Sequence, residues 1–285
     1  MTDKGPDFVG IGAAKAGTSW LAFLMNQHSS LRMASEKEIT FFSSEKKWSK
    51  GKEWYRSRLP RREPNTLIGE FSVSYMTHAE KTATRLKSMN EQVRLIAILR
   101  HPLKRAQSHW NWLHQLGRVK YGTPFNLETT PAVLRDSLYF QNLKPFIEQF
   151  GRSQIHVLKY ENLVKDPLDT VNRLFTFLEV EQLTKIEFSD QRVGETIIPR
   201  WQTLDSFRRC LHRWAGKKGL VSLIELLRKM GVPRLYRLLN CSGRFDRVRP
   251  LSFEQIRIPI AHDLIQLEKV IDFSISDWLD DCRLP

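Results

Sequence analysis

Two glycines, a lysine and two hydroxyl side chains near the N-terminus have the types and spacing of an anion-binding loop. Gly12 and Gly17 bound a stretch with almost no side-chain bulk, and Lys15 lies inside it. Thr18 and Ser19 follow directly, at the start of a helical pattern. Backbone N–H groups of such a loop converge on one point, where the dipole of the helix also favours negative charge. We expect a phosphate to bind there.

The residues on both sides of the loop predict the elements that hold it. An apolar strand precedes it and residues at helical spacing follow it; they are Phe8, Val9 and Ile11, then Trp20, Leu21, Phe23 and Leu24. The glycine spacing is that of a P-loop, but Lys15 stands before Gly17 and not after it. We therefore expect neither a magnesium nucleoside triphosphate nor a required metal. An ordinary strand–loop–helix turn is the alternative.

A second group of residues offers a carboxylate. The stretch from Met33 to Phe42 begins polar and ends in Ile39, Phe41 and Phe42, so its end is expected to be fixed in the core. Glu38 is the carboxylate nearest that fixed end and is better held than Glu36. A surface glutamate is the alternative reading of Glu38.

Aromatic and cationic residues alternate in the next stretch, from Trp48 to Pro60. Trp54 and Tyr55 lie among its cations, a composition that suits an acceptor carrying a ring or a negative charge. An aromatic cluster that merely packs beside the core is equally compatible with this pattern.

Short apolar runs alternate with helical patterns through the first two thirds of the chain. The further predicted strands are Thr66–Val73, Val93–Leu99 and Gln154–Tyr160, and the predicted helices are 78–89, 102–117, 131–150 and one from Pro167. Strands alternating with helices favour parallel pairing with right-handed crossovers. We predict a doubly wound parallel α/β sheet followed by a helical C-terminal part that includes helices at 220–230 and 252–271, with residues 1–285 forming one domain.

The sheet model places Arg100 at a ligand-binding edge. Arg100 follows the strand Val93–Leu99, and open α/β sheets bind ligands at the carboxyl ends of their strands. Ser108 lies about two turns into the helix that begins at Pro102, so it could face back toward Arg100.

The charge and the cysteine content limit the partners and the compartment. The formal net charge is +14, and residues 200–250 hold thirteen Lys or Arg against three acidic residues. This segment favours an acidic partner, although a solvated face is an equal alternative. The N-terminus has no apolar signal segment, no run is long enough to span a membrane, and three cysteines show no metal spacing. We expect a cytoplasmic protein, with contact to a membrane surface as a further possibility.

Four blocks together resemble sulfotransferases that use 3′-phosphoadenylyl sulfate (PAPS), of the bacterial and heparan-sulfate-modifying kind. In order they are GAAKAGTSWL, EKEITFF with the following G-x-x-WY, LRHPLKRAQSHW, and ENL with a PLS-to-W tail. Each block alone is a weak signal, but four in the right order cover nearly the whole chain.

The resemblance implies a role for each matching position. The 5′-phosphosulfate would bind the donor loop, Arg100 and Ser108 would hold the 3′-phosphate, and Glu38 would deprotonate an acceptor hydroxyl. The positions implied in the donor loop are Lys15, Ala16, Gly17, Thr18, Ser19 and Trp20, of which Lys15 also neutralises the leaving group. The donor would be PAPS and the product 3′-phosphoadenosine 5′-phosphate (PAP). His78, His101 and His109 are the rival bases.

The chain also departs from this family pattern. Heparan-sulfate-type enzymes often carry a lysine after the glutamate at the position of Glu70, where this chain has Phe71. Either Lys37 or Lys15 must then supply the cation near the sulfonyl group, or the substrate class differs. The loop over the adenine is poorly defined, and Arg192, Gly194 and Arg200 are its candidates. Because the animal enzymes carry a membrane anchor and a disulfide that are not seen here, the chain looks more like a bacterial cytoplasmic enzyme.

Two other classes of function remain at this stage, a P-loop kinase and a nucleic-acid-binding protein. The kinase would need a lysine where Thr18 stands, and nucleic-acid binding would explain the charge but not the loop. The acceptor of a sulfotransferase is left open, because a carbohydrate, a glycolipid, a natural-product phenol or a peptide tyrosine would each suit a glutamate base beside aromatic residues.

Overall fold

The computed structural model describes residues 5–120, 122–187 and 254–282, together with 198–199, 236 and 240–242. Contacts divide the chain into two compact units, one of residues 1–106, 127–194 and 253–285 and one of residues 107–126 and 195–252. The single domain expected over residues 1–285 stays a prediction. The expected helix at 220–230, most of the basic segment, and the positions Arg192, Gly194 and Arg200 lie outside the described residues.

Within the described part of the first unit, five strands form one parallel sheet in the order β2-β3-β1-β4-β5. The strands are β1 (Phe8–Gly12), β2 (Leu31–Met33), β3 (Leu67–Phe71), β4 (Arg94–Leu99) and β5 (Ile155–Lys159). The predicted doubly wound parallel α/β sheet is confirmed. The edge strand β2 was missed, because three residues with a central arginine give no apolar run.

The central strand β1 is buried along its whole length, with β3 and β4 on either side. A Cβ atom on Gly10 would lie 1.9 Å from the ring of Phe71, so only glycine leaves room for that ring against β1. This close packing fixes β3 relative to the strand that leads into the donor loop.

Helices cover the sheet between the strands. In the first part of the chain they are α1 (Thr18–Met25), α2 (Glu45–Trp48), α3 (Gly51–Arg56), α4 (Ser74–Thr77), α5 (Ala79–Met89) and α6 (Pro102–Gln115). The later ones are α7 (Ala132–Arg135), α8 (Tyr139–Phe150), α9 (Tyr160–Lys165), α10 (Pro167–Leu178), α11 (Glu254–Leu267) and α12 (Ser276–Cys282). Among these described helices, none is both long and apolar enough to cross a membrane.

The prediction of one helix over 131–150 was wrong, because α7 and α8 are separated by a turn. The carboxylate of Asp263 accepts hydrogen bonds from the N–H groups of Phe140 and Gln141, at 2.8 and 3.0 Å, and so caps the start of α8. The hydroxyl of Ser137 accepts a hydrogen bond from Arg105 at 2.7 Å and fixes the turn before it. Both partners come from distant parts of the chain.

The C-terminal helices belong to the first unit and bury apolar residues as their spacing predicted, although α11 is shorter than the expected range 252–271. Ile256, Ile260, Leu264 and Leu267 of α11 have no exposed surface, and neither has Trp278 of α12.

The second unit contains the end of α6, from Gln107 onward, and a short pair of strands. The ring of Trp110 packs edge-on against His114 and Phe125, with ring centroids 4.7 and 5.5 Å apart. Ile198–Pro199 pairs with Cys241–Ser242 in antiparallel fashion.

Candidate active site

The predicted anion loop joins β1 to α1 at the carboxyl edge of the sheet. It is tied to β4 by a hydrogen bond from Ala13 N–H to the carbonyl of Ile98, at 2.8 Å. Gly17 precedes α1 with φ of 93°, and a Cβ atom there would lie 2.7 Å from the ring of Tyr160. Both the backbone conformation and the close approach of Tyr160 require glycine. The loop therefore has one tightly defined path.

The first turn of α1 leaves donors free for a ligand. In the part of the chain that the structure describes, the N–H groups of Gly17, Thr18 and Ser19 donate to no protein acceptor, and Gly17 provides no side-chain cap. Unsatisfied N–H groups at a helix start attract an anion. An oxyanion at this point would satisfy all three.

Lys15 is placed among cations. Burial lowers the pKa of Lys15 from 10.5 to about 8, and repulsion from Arg100 and Arg105 adds to the effect. The guanidinium of Arg100 donates to the carbonyl of Lys15 at 3.4 Å and lies 5.0 Å from the ring centroid of Tyr160. Among the described residues, the buried Nε atom of Arg100 has no acceptor. This excess of positive charge and free donors fits an anion with several negative charges.

Arg105 belongs to this cationic region, and the sequence analysis missed it. Its guanidinium is fully buried and donates to Ser137 Oγ at 2.7 Å and to the carbonyl of Val133. The available signal was a charged residue beside the apolar residues Leu103 and Ala106 of α6, which alone would not separate a buried arginine from an exposed one.

Lys37 reaches the donor loop from the neighbouring polar stretch. Its ammonium group donates to Ser19 Oγ at 2.7 Å and to Thr18 Oγ1 at 3.3 Å. The residue as a whole is exposed, but partial burial of the ammonium lowers its pKa, which Glu38 partly offsets. Phe71 is only 2% exposed and is packed on Gly10, so position 71 supplies no cation. Lys37 therefore brings a positive charge to the hydroxyls of the donor loop, and the same charge acts on Glu38.

Glu38 lies half-buried next to Lys37, as the fixed end of its stretch predicted. Burial raises the pKa of Glu38, while the charge of Lys37 and a hydrogen bond from the N–H of Val73 oppose the rise. A carboxylate with a raised pKa accepts a proton more readily than an exposed one. The predicted fixing of Ile39, Phe41 and Phe42 is confirmed, since none has exposed surface.

A second carboxylate, Glu70, lies beneath this stretch; the sequence analysis named it only as the residue before Phe71 and gave it no role. Glu70 is 1% exposed, and its oxygens accept hydrogen bonds from Ser72 at 2.7 Å, from Tyr55 at 3.2 Å and from Tyr75. Burial raises its pKa to about 7, with repulsion from Glu38 as a smaller contribution. The sequence predicted that Glu70 lies on a strand, but it did not predict the tyrosines that donate to its carboxylate.

The aromatic residues after the Glu38 stretch form a cluster around Phe41. Tyr55 is fully buried and stacks on Phe41 with centroids 4.7 Å apart, while Trp48 and Trp54 pack at 5.1 and 6.0 Å. Lys50 lies over the ring of Trp54 at 4.6 Å. Tyr55 is therefore part of a packed aromatic cluster and not of an acceptor site. Of the aromatic residues in this stretch, only the half-buried Trp48 and Trp54 could contact an acceptor.

The remaining predicted residues fall in several places. Ala16 is fully buried, so only its backbone faces a ligand, and Trp20 is half-buried on α1. Ser108 lies half-buried on the part of α6 that belongs to the second unit. Its role remains a prediction.

The rival histidine bases have other surroundings. His78 is exposed, and its Nδ1 atom lies 3.0 Å from the carbonyl of Ser74. His101 Nε2 lies 3.0 Å from Asp281, and His109 packs against a tryptophan in the second unit. The choice of base stays a prediction.

The comparison with protein families decides among the functional classes left open by the sequence. The model of the sulfotransferase domain family matches residues 5–193. The chain belongs to the sulfotransferase family. The kinase and nucleic-acid-binding alternatives lose their support, and the resemblance inferred from the four sequence blocks is confirmed.

Individual relatives point the same way. A mouse protein, heparan sulfate glucosamine 3-O-sulfotransferase 5, is 27% identical over 258 residues, covering 84% of this chain and 72% of its own length. A membrane-associated sulfotransferase, kil1 of Dictyostelium discoideum, is 23% identical over 66% of this chain and 59% of its own. A solved sulfotransferase from Alicyclobacillus acidocaldarius superposes with a TM-score of 0.64 at 19% identity, covering 96% and 98% of the two chains, and supports the fold.

Proposed function

We propose that this sulfotransferase moves a sulfuryl group from PAPS to an acceptor hydroxyl, with Glu38 as the base. The observation that carries the proposal is Lys37, which hydrogen-bonds the hydroxyls of the donor loop while its sequence neighbour Glu38 presents a carboxylate. This contact supports a donor loop and a proton acceptor that act together in one region of the first unit.

The donor loop suits a phosphosulfate. The free N–H groups of Gly17, Thr18 and Ser19 and the ammonium of Lys15 would hold the 5′-phosphosulfate, with Ala16 contributing backbone and Trp20 a neighbouring ring. Arg100 has an unused buried donor for the 3′-phosphate. A role for Ser108 rests on the family resemblance alone. Arg192, Gly194 and Arg200 remain the proposed cover of the adenine.

PAPS, when bound, supplies an activated sulfuryl group whose leaving group is PAP. Glu38 would take the proton of the acceptor hydroxyl as the new oxygen–sulfur bond forms and the bond from sulfur to the phosphate oxygen breaks. Lys15 would neutralise the charge that appears on that phosphate oxygen, and Lys37 would hold the sulfonyl oxygens in place of the lysine missing at Phe71. Each group acts on charge that develops during transfer, which is where positioned charges are most effective.

The chemical class of the acceptor is proposed from a relative and from the charge of the chain. Because the mouse relative is named for a heparan sulfate glucosamine, a glycan hydroxyl is the first class to test, followed by glycolipids and phenols. The basic composition of residues 200–250 favours an acidic acceptor or one carried on a membrane surface. A bacterial cytoplasmic setting is part of this proposal.

The first experiment tests the donor. Thermal shift with PAP, ATP and an oligonucleotide should show stabilisation by PAP, including in the presence of a chelator, since binding to the native state raises the melting temperature. Equal stabilisation by ATP, or none by PAP, contradicts the proposed donor.

The second experiment tests the base, using labelled PAPS and a panel of heparan sulfate, glycolipid and phenol acceptors. Glu38→Gln keeps the shape and removes the proton acceptor, so turnover should fall by about 10²- to 10⁴-fold while PAP affinity stays unchanged. Glu36→Gln is the matched control, because Glu36 is exposed in the same stretch and should retain wild-type turnover. Normal turnover of Glu38→Gln with loss in His109→Ala would assign the base to the histidine.

A further inference from the structure

Three hydroxyl groups surround the buried carboxylate of Glu70, and two of them also hold the stretch that carries Glu38. Ser72 Oγ donates to one Glu70 oxygen and accepts from the N–H of Thr40 at 2.9 Å. Tyr75 donates to the other oxygen and accepts from the N–H of Phe41 at 3.0 Å. The backbone two and three residues after Glu38 is therefore held by hydroxyls that Glu70 orients.

The direction of each hydrogen bond follows from elementary chemistry. An ionised carboxylate only accepts, so the hydroxyls of Ser72 and Tyr75 must point their protons toward Glu70. Their lone pairs are then left for the N–H groups of Thr40 and Phe41. If residue 70 carried a hydrogen-bond donor, the hydroxyl of Ser72 or Tyr75 would have to accept from it. The proton of that hydroxyl would then point toward the N–H group of Thr40 or Phe41.

We propose that Glu70 is a positioning residue for the reaction: through the hydroxyls of Ser72 and Tyr75 it orders the stretch 37–42 and so holds Glu38 at the donor loop. This inference rests on the function proposed for Glu38. The backbone N–H of Val73, in the segment that follows β3, also favours the ionised form of Glu38. The same short segment therefore acts on the Glu38 carboxylate and holds the backbone that follows it.

The arrangement responds to pH. The titratable groups that face Glu70 are Tyr55 from α3, Tyr75 from α4 and Glu38 from the polar stretch. Both tyrosines have pKa values raised well above 10.0 by burial, so they stay protonated donors at physiological pH. Glu70 itself gains its charge near pH 7. Below that pH a protonated Glu70 offers a donor, and the orientation of the hydroxyls is no longer imposed.

Two tyrosines provide a matched pair of variants. Tyr55 and Tyr75 donate to the same oxygen of Glu70 in the same buried cluster, but only the Tyr75 oxygen accepts a bond from Phe41 N–H. Tyr75→Phe should speed hydrogen exchange of the Phe41 amide at least tenfold, and Tyr55→Phe should not. Ser72→Ala should do the same for the Thr40 amide.

The reaction is measured with PAPS as the only substrate. Water then serves as the acceptor, and the release of PAP is followed. In Glu70→Gln, release should fall by about 10- to 100-fold, the scale expected when a reacting group is displaced by about 1 Å, while PAP affinity stays within twofold. The wild-type rate should rise with pH through about 7. In Glu70→Gln that rise should be absent, a change that a merely structural role would not produce.

The two kinds of failure are separable. Glu70→Gln with wild-type PAP release and wild-type exchange of the Thr40 and Phe41 amides overturns the positioning role, as does equal amide exchange in Tyr55→Phe and Tyr75→Phe. If the wild type neither binds PAP nor releases it from PAPS, the proposed function fails. The amide exchange of the variants still decides whether Glu70 orders the stretch.

Discussion

At the scale of single residues, the donor loop depends on a lysine whose pKa lies well below the ordinary value. With its pKa at about 8, Lys15 loses its proton in the range where most enzymes are assayed. An anion beside it favours the protonated form, so binding should draw a proton onto Lys15. As pH rises through about 8, loss of that proton relieves the repulsion between Lys15 and the guanidinium groups of Arg100 and Arg105.

This coupling predicts that PAP affinity depends on pH. Affinity should be highest below pH 8 and should fall as pH rises through that value, by about tenfold between pH 7 and 9, because each unit above the pKa leaves about tenfold less protonated lysine. Calorimetry in buffers of different ionisation enthalpy measures both the affinity and the proton uptake. Lys15→Arg stays charged and should bind PAP without this dependence. The same dependence in Lys15→Arg would place the titrating group elsewhere.

At the scale of elements, the conformation of the turn from β1 into α1 can be tested by comparing substitutions at two glycines that both have a left-handed backbone conformation. Gly17 has φ of 93° and Gly51 has φ of 83°, but only Gly17 faces an obstacle, the ring of Tyr160. Each Gly→Ala change should cost about 1–2 kcal/mol for the backbone conformation. Gly17→Ala should in addition weaken PAP binding at least tenfold, whereas Gly51→Ala should bind normally. Denaturant unfolding and PAP titration give the two quantities, and equal PAP affinity in both variants would contradict the model of the loop.

Most of the helices and strands could be predicted from the sequence, but some of their boundaries could not. Strands β1, β3, β4 and β5 followed from short apolar runs, and their parallel pairing followed from the helical patterns between them. Arg100 at the carboxyl edge followed from that pairing. The break between α7 and α8 could not be foreseen, because it is imposed by Asp263 and Arg105, which approach only in the folded chain. A role for Glu70 could not be foreseen for the same reason, since what makes it unusual is the pair of tyrosines around it.

At the scale of the whole molecule, the C-terminal helix α12 supports the sheet edge that carries Arg100. Trp278 is completely buried, and its ring lies 6.2 Å from His101 and 6.1 Å from Tyr139 between ring centroids. Tyr139 in turn donates to the carbonyl of Arg100 at 2.6 Å. His101 therefore contacts α12 directly through Trp278, and Arg100 is connected to the same helix through Tyr139.

Removal of that ring should therefore be costly. Trp278→Ala is expected to lower the free energy of unfolding by about 3–5 kcal/mol, the usual loss for a large buried aromatic side chain. Ile265→Ala is the control, since Ile265 on α11 is 44% exposed and its truncation should cost far less. Chemical denaturation compares the two, and a similar loss in both would mean that Trp278 is not part of the core.

The two faces of β3 have a consequence for how this chain can change over generations. Phe71 lies on Gly10 on one face, while its neighbour Glu70 meets the tyrosines on the other. Successive side chains of a strand alternate between faces, so gaining or losing a single residue within β3 would exchange the two. A substitution in β3 therefore affects one face, whereas an insertion or deletion disrupts both faces at once. Among descendants of this protein, length variation should therefore be confined to the turns that flank residues 67–71.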